Sequence, residues 1–296
     1  MSGAAVRRRD PGLAFVGPFL FIYVTVLIAP MVHGLWLSLH RIDIWGDGRF
    51  AGLANYRRLI ADPTFHQSLL NTLLVTLMIV PVLTVLALGI ALALNRATRT
   101  AAVLRGIYFS SAILSVTIVT LIWRFILAPD AGLLGELSQA AGWQPIPFLS
   151  APGFALWALA LTTIWWSIGV PMLLFLAGLQ QIPPDLYEAA ALDRAGRWRT
   201  LIRITLPSLK RTTILVIMLQ TAAQLQLFGQ AQLLTGGGPS GASRTVVLFM
   251  NEVAFGRWEL GYAQAAAEIL FLLILAVTLT QYWLTGRAGE GDERGR

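Results

Sequence analysis

The chain has no cysteine among its 296 residues, which excludes disulfide frameworks, thiolate nucleophiles and Cys-based metal sites. Charge is scarce as well: 12% of the residues are charged, whereas an average soluble domain carries roughly a quarter. Lysine is the scarcest cation, present only as Lys210 and preceded by Leu209. A Walker A loop needs a lysine after glycine to reach the phosphates, so the chain forms no P-loop of its own. Gly236-Gly237-Gly238-Pro239 is glycine-rich but lacks that lysine. His33, His40 and His66 have no ligand-like spacing, and neither an HExxH nor a GxSxG arrangement occurs. No catalytic and no metal-binding residue is assigned.

What the chain has in abundance is apolar surface. Hydrophobic residues make up 56%, and apolar runs of around 20 residues recur, the length an α-helix needs to cross the hydrocarbon layer. Six spans are expected near 13–35, 70–94, 107–127, 154–176, 214–234 and 263–284, between a tail at 1–12 and another at 285–296. Backbone polar groups inside lipid must be satisfied within the segment, so the spans should be helices. Their Leu and Ala content, without ten-residue alternation, argues against a barrel. The fold class expected is all-α, a polytopic membrane bundle. The first run exceeds the usual 7–15-residue signal-peptide core and lacks a small-residue cleavage site after Pro30, so it reads as a retained anchor.

The arginines orient the bundle. Arg7, Arg8, Arg9, Arg96, Arg99, Arg105, Arg287, Arg294, Arg296 and the 194–211 cluster give fifteen basic residues on one side, against six in the alternate loops (Arg41, Arg49, Arg57, Arg58, Arg244 and Arg257). The positive-inside rule places the richer side, and both termini, in the cytoplasm. The net charge of +7 then serves topology and anionic lipid, and calls for no nucleic acid partner.

The loop at 180–210 carries the most information. Pro183-Pro184-Asp185 is a helix-start signal, with proline tolerated in the first turn and an acid at the positive end of the dipole. A short helix is expected over 184–192, a turn near 193–196, and a second helix from Arg197 up to Leu206-Pro207. Ala189, Ala190 and Ala191 keep one side of the first helix thin, and Glu188 and Asp193 offer carboxylates to a partner's Arg or Lys. Such a hairpin suits docking into a cleft.

Glu188-Ala189-Ala190, followed by Ile204, Leu206 and Pro207 at offsets 16, 18 and 19, resembles the EAA loop of binding-protein-dependent ABC importer permeases. The resemblance extends to Gly52-Leu53-Ala54-Asn55-Tyr56, Leu70-Asn71-Thr72, the stretch from Ala177 to Pro183, Thr235 to Pro239, and Ala254-Phe255. These match the carbohydrate branch, with its maltose, trehalose and glycerol-3-phosphate permeases, over nearly the whole chain. The resemblance implies a type I importer bundle in a bacterial or archaeal cytoplasmic membrane, paired with a second homologous permease subunit. It also implies two copies of a cytoplasmic ABC ATPase docked on the EAA loops and an extracytoplasmic solute-binding protein. Glu188, Ala189, Ala190, Asp193, Arg194, Gly196, Leu206 and Pro207 then couple to the ATPase. The permease itself holds no cofactor, ATP and magnesium being bound by the partner ATPase. One departure stands: the family usually has glycine where this chain has Arg194, which leaves the turn geometry open and makes the guanidinium a candidate contact to the ATPase or to lipid headgroups. The glycine-rich stretch has two readings, an external loop reaching towards a binding protein or a flexible re-entrant turn.

A substrate path needs polar groups facing the bundle interior. Gln220, Gln224, Gln226, Gln230 and Gln232 crowd the fifth span, with Gln220/Gln224 and Gln226/Gln230 each one helical turn apart. Neutral amides match sugar hydroxyls without trapping a charge, and Trp165, Trp166 and Phe228 offer faces for a pyranose ring. The alternative for each glutamine is helix–helix glue. Arg124 is the one intramembrane charge this reading finds, near enough to a span end to snorkel, so a neutral sugar is favoured. The competing class is an ion-coupled secondary transporter, which would use buried acids, and the spans are read as having essentially none; a polytopic membrane enzyme would need a catalytic cluster.

Overall fold

The computed structural model describes residues 11–42 and 48–293; Arg7, Arg8, Arg9, Arg294 and Arg296 lie outside them. In chain order, α1 (Pro11–Tyr23) continues through a π-helical turn (Val24–Ile28) into α2 (Ala29–Ser38). A two-residue hairpin, β1 (His40–Arg41) with β2 (Arg49–Phe50), and α3 (Ala54–Ala61) follow. Then come α4 (Pro63–Leu94), α5 (Arg99–Ser110), α6 (Val116–Leu127), α7 (Leu133–Ala140), α8 (Pro152–Ser167) and α9 (Gly169–Gln180). The connecting hairpin consists of α10 (Pro184–Leu192), α11 (Arg197–Thr200), a second π turn (Leu201–Thr205) and α12 (Leu206–Ser208). Last are α13 (Lys210–Leu225), a π turn at Ala231–Thr235, α14 (Val246–Asn251), a π turn at Glu252–Gly256, and α15 (Leu260–Glu293).

Among the described residues, three helical stretches are long and apolar enough to cross a membrane: Val16–Ser38, Pro63–Leu94 and Leu260–Leu284. Two bent pairs raise this to five if each counts as one span. The run read near 107–127 is broken between α5 and α6 by a bend of 102°. No proline or glycine marks it. The break is built from serines: a 3₁₀ turn at Ser111–Ile113, Ser111 Oγ donating to Tyr108 O and Trp166 O (2.9 and 3.2 Å), and Ser115 Oγ accepting from Ile118 N to cap α6. The run near 154–176 bends by 46° between α8 and α9, where Gly169 lies so close to Tyr108 O that a Cβ would sit 2.6 Å from it. The run near 214–234 is α-helical only to Leu225.

The chain divides into two compact units. The larger, Asp62–Phe249 with Ile269–Arg296, is organised on α4. Asp62 caps that helix through Thr64 N (2.8 Å), and Pro63 occupies the first turn. Val75, Ile79, Leu83, Ala87 and Ala91 form one buried i+4 ridge, which meets Leu159 of α8, Phe175 and Leu179 of α9, and Val216 of α13 in a single core. Small residues let the backbones close in, as helix packing inside lipid requires: a Cβ on Gly178 of α9 would press on Thr212 of α13.

The smaller unit, Met1–Ala61 with Met250–Glu268, brings α2 against the start of α15. Gly34 faces the Gln264 amide, which a Cβ there would push aside, and Gly261 packs on the backbone at His40 O, at a distance that admits no side chain. Arg58 pairs with Glu259 (2.9 Å) and lies over the Tyr262 ring, 4.1 Å from its centroid.

Candidate functional site: a docking hairpin and an amide-lined hollow

The hairpin at 180–210 begins with α10, which has the bounds read from the sequence. Ala190 turns into the body while Ala189, Ala191, Glu188 and Asp193 stay exposed. No ion pair within the chain engages Glu188, Asp193 or Arg194 among the described residues. The Tyr187 hydroxyl and Thr205 Oγ1 share a hydrogen bond (3.2 Å), which fastens α10 to the returning arm.

Arg194 has φ +52°, the left-handed region where glycine is at home. Arg194 N donates to Ala191 O (3.0 Å) and Ala195 N to Ala190 O (2.9 Å), the bond pair of a Schellman helix end with Arg194 at its left-handed position. The turn that the glycine pattern implies is therefore made here without glycine. A side chain in that conformation costs about 1 kcal/mol, so Arg194→Gly is expected to raise the thermal midpoint of the solubilised protein by about 2 °C. A fall in ATP-dependent uptake in the same variant would show that the guanidinium has a contact worth that cost.

The second part of the site lies where α13 ends. Gln226 leaves the helix, its N donating to Ala223 O and its Nε2 to Ala222 O, and the chain runs irregularly to Gln230. The expected Gln226/Gln230 turn pair on one helix face does not exist; backbone irregularity brings the two amides to the same place instead. Gln224, Gln226, Gln230 and Phe228 line a hollow of ≈ 410 Å³ with Thr163, Trp166 and Ser167 of α8. A second hollow adds Gln220 and shares Trp166, Ser167 and Gln224. Gln224 Nε2 donates to Gln220 Oε1 (3.2 Å), and Trp166 Nε1 to Leu114 O (3.1 Å), which fixes the indole. Among the described residues the lining carries no charged side chain.

Trp165 is elsewhere, packed edge-on against Trp123 at 6.1 Å, because its neighbour Trp166 takes the inward face of α8. Gln232 is exposed and outside the hollow. Thr163, which the sequence reading missed, is buried with a hydroxyl that has no hydrogen-bond partner among the described residues. Glu268 lies inside the Leu260–Leu284 helix, half-buried near Gly34, so Arg124 is not the one charge within the candidate spans and the expectation of acid-free spans fails. Glu268 sits outside the amide-lined hollow. No group of three His, Cys, Asp or Glu residues able to hold a metal occurs among the described residues.

The glycine-rich stretch is a fixed turn. Asn71 Nδ2 of α4 donates to Gly241 O (2.9 Å) and Arg244 O (3.1 Å), Thr72 Oγ1 accepts from Val246 N (2.9 Å), and the Ser243 hydroxyl bridges Thr235 and Gly238.

Comparison with known proteins identifies the family and the fold. Residues 64–289 match the family described as binding-protein-dependent transport system inner membrane component. The chain is 32% identical over 285 residues to the trehalose/maltose transport system permease protein MalF of Thermococcus litoralis, covering 95% of each. It is 29% identical to the sulfoquinovosyl glycerol transport system permease protein SmoG of Agrobacterium fabrum, covering 89% of this chain and 86% of that one. Its fold matches a chain in the crystal structure of a bacterial alginate ABC transporter in complex with an alginate pentasaccharide-bound periplasmic protein, with a TM-score of 0.80, 21% identity and 93% of both chains covered. The chain belongs to the family of binding-protein-dependent ABC transport permeases, the inner membrane components of such systems.

Proposed function

We propose that this permease carries a neutral carbohydrate across the cytoplasmic membrane by alternating access, with ATP and magnesium held by a separate ATPase. The observation that carries the reading is the uncharged hollow of Gln224, Gln226, Gln230, Thr163, Ser167, Trp166 and Phe228. Its volume falls in the ~300–1,000 Å³ range of small-molecule sites, and amides and hydroxyls beside aromatic faces match the hydroxyls and apolar face of a sugar ring. The relatives named for trehalose/maltose and sulfoquinovosyl glycerol transport support a carbohydrate.

In this reading a solute-binding protein delivers the sugar, a second permease subunit completes the cavity, and two ATPase copies grip the hairpins around Glu188. Both termini lie in the cytoplasm, on the arginine-rich side. Closure of the ATPases on ATP moves the hairpins, and the bundles turn so that the hollow opens outward.

In proteoliposomes holding all subunits and the binding protein, uptake of a labelled neutral disaccharide is expected to require enclosed ATP. Uptake driven by a proton or sodium gradient alone would overturn this in favour of a secondary transporter, the class for which Glu268 is the candidate acid. Gln224→Leu, which keeps the volume and removes the amide, is expected to lower uptake about tenfold, the equivalent of one lost hydrogen bond of ~1.4 kcal/mol. ATPase binding to that variant should be unchanged, as a co-purification assay would check.

A further inference from the structure

The hairpin and helix after the first span have a job that transport does not assign them. α3 carries two stripes. Asn55 and Leu59 are buried on one, while Arg57 and Ile60 face outward on the other, continued by Leu53 in the turn just before the helix, with Leu53 61% and Ile60 66% exposed. Phe50 of β2 is 73% exposed. Water is a poor neighbour for three large apolar side chains so close together.

The height of this surface is fixed by hydrogen bonds. Val16–Ser38 is the first candidate span, and Ser38 is its last residue. Asn55 Nδ2 donates to Ser38 O (2.7 Å) and His40 O (3.0 Å), the Tyr56 and Ser38 hydroxyls share a bond (2.7 Å), and Ala51 N donates to Leu39 O (2.8 Å). α3 is thereby held within about one helix diameter, ~10 Å, of the end of the span. The headgroup layer beyond the hydrocarbon is roughly 5–8 Å deep on each side, and amphipathic helices sink ~5–10 Å into that boundary. Trp36 and Leu35, exposed at the end of the same span, continue the apolar surface, and tryptophan belongs to the interfacial belt. Of the two arginines on α3, Arg58 is committed to Glu259 and Tyr262, whereas Arg57 is exposed and has no side-chain partner among the described residues.

We propose that α3 and Phe50 form an interfacial anchor lying in the lipid headgroups beside the end of α2, with Leu53, Ile60 and Phe50 dipping towards the acyl chains and Arg57 meeting lipid phosphate. The anchor sets the depth at which the first span sits. It follows from the membrane placement of the chain and not from the identity of the solute.

The absence of native cysteine makes the test direct. Leu53→Cys and Ile60→Cys carry a nitroxide in the assembled transporter, reconstituted in nanodiscs of phosphatidylethanolamine and phosphatidylglycerol without the binding protein, and Gln144→Cys, exposed in the turn after α7 and outside the candidate spans, serves as the water-facing control. The expected result is that positions 53 and 60 relax severalfold more with lipid-soluble oxygen than with a water-soluble nickel complex, the reverse of position 144. Arg57→Glu combined with the position-53 label should shift that ratio towards the nickel complex. Labels at 53 and 60 that meet the nickel complex as freely as position 144 overturn the proposal. If they do so and are then shielded on adding the solute-binding protein, the surface is a protein-docking face instead.

Discussion

Glu188→Lys is expected to abolish ATP-dependent uptake and to release the ATPase from the permease. The carboxylate stands exposed on α10 without an ion pair among the described residues, on a helix whose start is set by Pro184 and Asp185 and whose end is closed at Arg194. Rigidity at both ends means that the charge is presented in one place, which is what a docking contact requires. Losing one member of a desolvated charge pair costs about 2–5 kcal/mol, a weakening of roughly 30- to 5,000-fold, and reversal adds repulsion. The measurement is co-purification of the ATPase on a tagged permease together with uptake in proteoliposomes. Normal transport by a fully assembled Glu188→Lys complex would remove Glu188 from the coupling contact.

Asn71→Leu should fail in the opposite way, with the ATPase still bound and the protein destabilised. Asn71 is buried and its amide supplies both hydrogen bonds that hold Gly241 O and Arg244 O to α4. Leucine has similar volume and no donor, so two buried carbonyls lose their partners at about 1–3 kcal/mol each. A total of ~3 kcal/mol corresponds to a drop of roughly 6–12 °C in the thermal midpoint. Because the 236–245 turn depends on those bonds, uptake is expected to fall along with stability. A midpoint within about 2 °C of the parent protein would mean that Thr72 and Ser243 hold the turn without Asn71.

The two variants touch parts of the chain that differed in how well the sequence announced them. The hairpin was legible because its signals are local: Pro183-Pro184-Asp185 starts a helix, and Glu188 to Pro207 keeps a fixed register. Arg194 concealed the helix end, since backbone hydrogen bonds and a positive φ, not residue type, make the Schellman turn. Apolar runs gave the helices but not their breaks. The third run bends through 102° where Ser111 bonds to Trp166 O, distant in sequence, and Ser115 caps the next helix locally, a combination no periodicity displays. The amides of the fifth run were rightly suspected of gathering, yet for the wrong reason: Gln226 and Gln230 meet Gln224 at a helix end and not along a helical face. Trp165 and Trp166 were indistinguishable in sequence, and only the rotation of α8 separates the one in the hollow from the one on Trp123. Glu268 was hidden by its apolar neighbours Ala265, Ala266, Ala267 and Ile269.

The π turn at Leu201–Thr205 has a consequence for the path between hairpin and hollow. Such a turn holds one residue more than the α turn it replaces, so the chain between α10 and α13 carries a single residue of slack. Slack of that kind lets a helix change phase by relocating the extra residue along its axis, without breaking the rod. Tyr187 shares its hydroxyl hydrogen bond with Thr205 at the edge of that turn, so relocating the extra residue would require that bond to break.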